Sequence, residues 1–142
     1  MCIRDRAADA GVRTVEHCSW VGEDGWGRNF DEAIVEKMVA NEVWVSPTIN
    51  AGWQRFRNPE FVEMIRANYR KMKSAGVRLI ASTDAGIPGV YHHDLPKALP
   101  EFARFSELTP LATLKAATSD CAAAIDLGAI TGRIQELSLI HI

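Results

Sequence analysis

The chain has 142 residues, 47% of them hydrophobic and 24% charged, with a formal net charge of -2 and a pI near 6.1. That composition belongs to a folded globular chain, and near-neutrality excludes the basic footprint that nucleic acid or an anionic membrane surface would require. Cys2, Cys18 and Cys121 form no Cys-x-x-Cys pair and no run of eighteen apolar residues occurs, which argues against a disulfide framework, a structural zinc site and a membrane span and makes the cytoplasm the expected setting.

Arg13-Thr14-Val15-Glu16-His17, entered through Ala10-Gly11-Val12, reads as a strand that ends in a polar residue. Ser19 to Asn29 follows as a loop with Gly22, Gly25, Gly27, Trp20 and Trp26, of the kind that shapes a pocket. Phe30 to Glu42 reads as a helix, because Ile34, Val35, Met38 and Val39 recur at three-to-four spacing and Asn29 or Asp31 can cap its start. Val43 to Ile49 is the next strand, with Pro47 at its end where the ladder stops.

Asn58 and Pro59 open the clearest helix, which carries Phe61, Ile65, Tyr69 and Met72 on one face and stops at Gly76. Arg66, Arg70, Lys71 and Lys73 read as its solvated faces. A second Ala-Gly-Val, residues 75–77, enters the strand Arg78-Leu79-Ile80-Ala81-Ser82-Thr83 and Asp84 closes it. A glycine-rich loop runs from Ala85 to Asp94, then a helix over Leu95 to Phe105 and another from a Thr109 cap toward Ala124. Strand and helix alternate, so the expected class is α/β with parallel strands.

In α/β barrels the loops after the strands form the reaction face, so a His closing one strand and an Asp closing another open into one mouth. His17 and Asp84 are the candidate metal ligands, and Asp84 is also the candidate catalytic base. A bound divalent cation makes a water acidic enough to attack an amide at neutral pH, and His and Asp are ordinary ligands for it. A catalytic metal needs three or more protein ligands, and the sequence offers two convincing ones. Length agrees, since a complete (β/α)₈ barrel takes roughly 250 residues.

Ala10-Gly11-Val12-Arg13-Thr14-Val15-Glu16-His17, Val45-Ser46-Pro47-Thr48, and Ala75-Gly76-Val77 leading to Ser82-Thr83-Asp84-Ala85-Gly86 resemble strands six, seven and eight of the amidohydrolase superfamily. The resemblance continues through Ile87-Pro88, His92, Leu95-Pro96, Thr109-Pro110, Ala116-Ala117-Thr118 and Thr131-Gly132-Arg133-Ile134, and is nearest to the imidazolonepropionase and prolidase-like branch. It implies a partial TIM barrel over residues 7–136 and a parent that hydrolyses an amide, dipeptide or cyclic amide bond of a small-molecule substrate. It also implies one or two divalent ions, zinc first among them, and leaves a homo-oligomeric parent open. His17 corresponds to the strand-six histidine, a ligand in binuclear members and a contact to the reactive water in mononuclear ones. Asp84 corresponds to the strand-eight aspartate, a ligand and the base that later protonates the leaving amine. His92 falls where relatives carry a loop histidine near the substrate.

The family's His-x-His of strand one, its strand-four lysine or glutamate and its strand-five histidine have no counterparts here. Residues 1–6 and 137–142 resemble translated sequencing-adapter read-through and are expected to be a non-native leader and tail. The competing reading is a small non-catalytic α/β binding module in which His17 and Asp84 are structural, Asp84 as a helix N-cap. Cys18 beside His17 is not expected to form a thiol-imidazole dyad, because strand neighbours point to opposite faces.

Overall fold

A computed structural model describes residues 3–136. Three short strands, β1 (Thr14–Glu16), β2 (Trp44–Ser46) and β3 (Arg78–Leu79), pair in parallel in the order β1-β2-β3, with Val15 opposite Val45 and Val45 opposite Leu79. Parallel neighbours need crossovers. Helices α2 (Glu32–Ala40) and α3 (Pro59–Ala75) supply them, followed by α4 (Leu95–Ser106), α5 (Pro110–Ala117) and α6 (Ser119–Ala124). The class is α/β, as the alternation of patterns predicts.

The ladders are shorter than the sequence patterns. Pro47 has no N–H to continue β2, and β1 and β3 each have one neighbour among the described residues. Beyond β3, Ile80 N–H still reaches the Val45 carbonyl at 2.9 Å, whereas Ala81 N–H turns to the Ala116 carbonyl of α5 at 3.2 Å.

Alternation along the strands separates two cores. Val15, Val45 and Leu79 face one core with Met38 of α2, Tyr69 and Met72 of α3 and Phe105 of α4. Trp44 and Ile80 face the other way and meet Ala124 of α6. Both faces are covered, so β2 is buried at every residue, as a central parallel strand must be. The second core is held at its edges by cations: the Arg78 guanidinium lies 3.9 Å over the Trp44 ring, and Arg13 reaches the Ala123 carbonyl at 3.1 Å and Asp126 at 2.6 Å.

Helix ends follow their local chemistry. Asp31 caps α2 by accepting from the Ala33 and Ile34 amides, and Asn58 caps α3 by accepting from Phe61 N–H at 3.1 Å. Gly76 ends α3 at φ 107, a left-handed position that suits glycine. The single helix expected from Pro110 to Ala124 is broken at Thr118, at φ -128 and ψ -88. The Ala116 carbonyl accepts from Ala81 N–H and from the Cys121 thiol at 3.0 Å, so the last turn of α5 serves the edge of β3. Downstream, Gly132 at φ 86 lies against α6, where an added Cβ would stand 2.7 Å from the Ala122 Cβ.

One expectation is corrected. Arg66 and Arg70 are not simply solvated, because both pair with Glu107 at the end of α4, and Lys73 donates to the Ser106 and Glu107 carbonyls. A helix, α1 (Ile3–Asp9), includes the last four of residues 1–6. Its Asp5 and Asp9, four apart on one face, both pair with Lys37 of α2. Residues 1–2 and the 137–142 tail lie outside the described residues. No helix among the described residues is long and apolar enough to cross a membrane.

Candidate functional site

The C-terminal ends of the three strands form one rim, and the backbone there is unusual. His17 (φ 64) and Cys18 (φ 43) follow β1, Thr48 (φ 52) follows β2 and Asp84 (φ 58) follows β3, all in the left-handed region. Such conformations cost non-glycine residues about 1–3 kcal/mol each, and a β-branched threonine is a genuine outlier there. The two successive turns after β1 bury Cys18, 2% exposed, and leave His17 exposed. The pair is therefore split between core and surface.

Register explains how the rim is stitched together. Glu16 stands opposite Ser46, which puts His17 level with Pro47 and Thr48 one residue farther along, and His17 Nδ1 lies 2.8 Å from Thr48 Oγ1. One layer below, the Ser46 and Ser82 hydroxyls are hydrogen-bonded to each other. Asn50 Nδ2 donates to the Thr83 carbonyl at 3.5 Å. Polar contacts thus run from β1 through β2 to the segment that carries Asp84.

Asp84 is half-buried, and its carboxylate has no hydrogen bond or ion pair among the described residues. It caps no helix: the next regular element is a 3-10 turn over His92–Asp94, which leads into α4. The N-cap explanation for this aspartate is therefore removed. His17 and Asp84 leave strands that are next-nearest neighbours, whose axes lie about 10 Å apart at ordinary strand spacing.

His92 is exposed in the 3-10 turn. Its neighbour His93 stacks on Tyr91, with ring centroids 5.6 Å apart and planes within 8°. Asp94 is engaged by Lys97 at 2.6 Å, and that bond above all holds its carboxyl below the usual range. A cleft of about 350 Å³ lies along the open side of β1, lined by Arg4, Thr14, Glu16, His17 and Ser19 among others. Of the two tryptophans in the loop expected to shape a pocket, Trp26 is exposed and Trp20 is buried, bonding Met72 Sδ through its indole N–H.

An imidazole nitrogen and a carboxylate oxygen suit a borderline divalent cation such as zinc. They fit in kind but not in number, since no group of three or more His, Cys, Asp or Glu able to hold a metal ion occurs among the described residues. The residue the sequence reading missed is Thr48. Its signal was the position itself, directly after the proline that ends a strand.

No protein family and no curated protein matches the chain. Solved structures do. The crystal structure of an uncharacterized protein superposes with a TM-score of 0.64 at 23% identity, over 96% of this chain and 34% of that one. A prolidase complexed with N-methylphosphonate-L-proline gives 0.62 at 22% identity, over 95% and 33%. An amidohydrolase gives 0.65 at 21% identity, over 96% and 33%. The likeness is one of fold. The chain spans about a third of the length of these structures.

Proposed function

We propose that the chain is the C-terminal part of a metal-dependent amidohydrolase-type enzyme, comprising strands six to eight of a (β/α)₈ barrel with their helices. Its parent hydrolyses a C–N bond of a small amide, dipeptide or cyclic amide. One observation carries this reading. Three parallel strands are each followed in the chain by a polar residue at positive φ, His17 after β1, Thr48 after β2 and Asp84 after β3, within a fold shared with prolidase and amidohydrolase structures.

In that reading His17 and the Asp84 carboxylate hold a divalent ion, zinc first, and further ligands come from sequence beyond these 142 residues. Such an ion supplies the acidity that brings a water's pKa from about 15.7 toward about 7. Asp84 takes the proton of the attacking water as the C–O bond forms, and returns it to the amine nitrogen as the C–N bond breaks. His92 contacts the substrate from the loop after β3. The parent is cytoplasmic and open to self-assembly.

The alternative, a binding module in which His17 and Asp84 are structural, is favoured by the lack of a three-ligand group among the described residues. It leaves unexplained a half-buried carboxylate that no hydrogen bond holds. Cobalt(II) titration of the 142-residue chain, followed by NMR line broadening, separates the two. Broadening centred on His17 and Asp84, and lost in Asp84→Asn, is the expected result, together with no amidase turnover by the chain alone. Broadening elsewhere, or unchanged in the variant, overturns the metal site.

A further inference from the structure

A neutral imidazole carries one N–H, and which nitrogen holds it decides which nitrogen can bind a metal or accept a proton. The partners of Thr48 at the rim bear on this for His17. Thr48 Oγ1 lies 2.8 Å from the Pro47 carbonyl oxygen and 2.8 Å from His17 Nδ1. The hydroxyl has one proton, and the carbonyl can only accept. With the hydroxyl proton on the carbonyl, Thr48 offers His17 a lone pair, so Nδ1 must carry the imidazole hydrogen. Both contacts are then hydrogen bonds.

The reverse arrangement places the hydroxyl proton on Nδ1 and leaves the Pro47 carbonyl facing an oxygen with nothing to donate. Pro47 is fully buried and Thr48 is 8% exposed, so water does not readily repair that loss. Thr48 holds this place only because its backbone is left-handed, at φ 52. Strain of this kind persists where the surroundings enforce it and clusters at functional sites.

We propose that Thr48 is a positioning residue that locks His17 as the Nδ1–H tautomer and presents Nε2, with its lone pair, as the ligating or proton-accepting atom of the rim. The role of Nε2 toward a metal rests on the function proposed above. The tautomer does not.

The test uses the metal-free 142-residue chain with ¹⁵N-labelled histidine. Long-range ¹H–¹⁵N correlation is recorded at about pH 8.5, two units above an ordinary histidine pKa. The His17 signals are assigned by their loss in His17→Gln. Wild type is expected to show the Nδ1–H form in several-fold excess, the ratio that a single ordinary hydrogen bond of about 1 kcal/mol sustains. Thr48→Ser retains that excess. Thr48→Val brings the two forms to comparable amounts and weakens cobalt(II) broadening of His17 several-fold.

A wild-type spectrum dominated by the Nε2–H form overturns the proposal, and needs no variant to fold. So does a folded Thr48→Val chain with an unchanged tautomer ratio. If the tautomer behaves as stated while cobalt(II) reaches His17 in neither wild type nor Thr48→Ser, the lock stands and the metal site falls.

Discussion

Asp84 and Glu107 both have positive φ, at 58 and 51, and differ in what surrounds them. Glu107 follows α4 and accepts from Arg70 at 2.8 and 2.9 Å, with Arg66 at 2.8 Å. The Arg70 hydrogen bonds above all pull its carboxyl down to about 2. Lys73 donates to its carbonyl. At that end of the molecule, contacts that tie α3 to α4 offset a strained turn, and folding accounts for the conformation. Asp84 has a similar φ after β3, and its carboxylate has no hydrogen bond or ion pair among the described residues. The metal site proposed above would account for that difference.

The contrast predicts that stability resides in the helical layer and is nearly indifferent to the rim. The largest effect belongs to Phe105→Ala. Phe105 is fully buried and packs edge-on against Trp53, with centroids 4.9 Å apart, so its loss lowers unfolding stability by about 3–5 kcal/mol. His17→Ala forfeits one hydrogen bond, to Thr48, and costs about 1 kcal/mol or less. Urea midpoints of the two variants check the pair. Equal losses would erase the distinction between the regions.

Acid sharpens it next. The Glu107 carboxyl is depressed from 4.5 to about 2, so its contribution is fully present above pH 4.5 and is lost as pH falls from there toward 2. Urea midpoints measured across that window should drop in wild type and drop less in Glu107→Gln. At neutral pH the same variant loses on the order of 1 kcal/mol, the upper end for an ion pair that solvent reaches. A wild-type curve that is flat over this window would remove the clamp from the account.

Much of this was legible in the residues. The caps at Asp31 and Asn58, the glycine stop at Gly76 and the stripe from Ile65 to Met72 act locally, within a turn or two, and local chemistry is what a sequence pattern reports. The starts of β1 and β3 after Ala-Gly-Val were legible for the same reason, although β3 pairs only over Arg78–Leu79 and stops well short of Asp84. What escaped depends on partners distant in the chain. The break at Thr118 reflects the demand of Ala81 for the Ala116 carbonyl, 35 positions apart. The pairing of Arg66 and Arg70 with Glu107 needs α4 folded against α3. The Thr48 contact to His17 spans 31 residues, and no spacing rule connects a threonine in one crossover with a histidine in another.

The smallest effect is the most pointed test of the comparison. Glycine tolerates positive φ without the Cβ penalty, at the expense of a more flexible unfolded chain. Asp84→Gly therefore relieves strain and forfeits no hydrogen bond or ion pair among the described residues, and stability should be unchanged or rise by about 0–1 kcal/mol. Glu107→Gly gains the same relief but forfeits both arginines, so its net change is a loss. Thermal unfolding of the two variants side by side gives opposite signs if the rim is held for a ligand and the clamp for the fold. A fall in Asp84→Gly matching that of Glu107→Gly would mean that the aspartate belongs to the fold, and its place as a ligand would be lost with it.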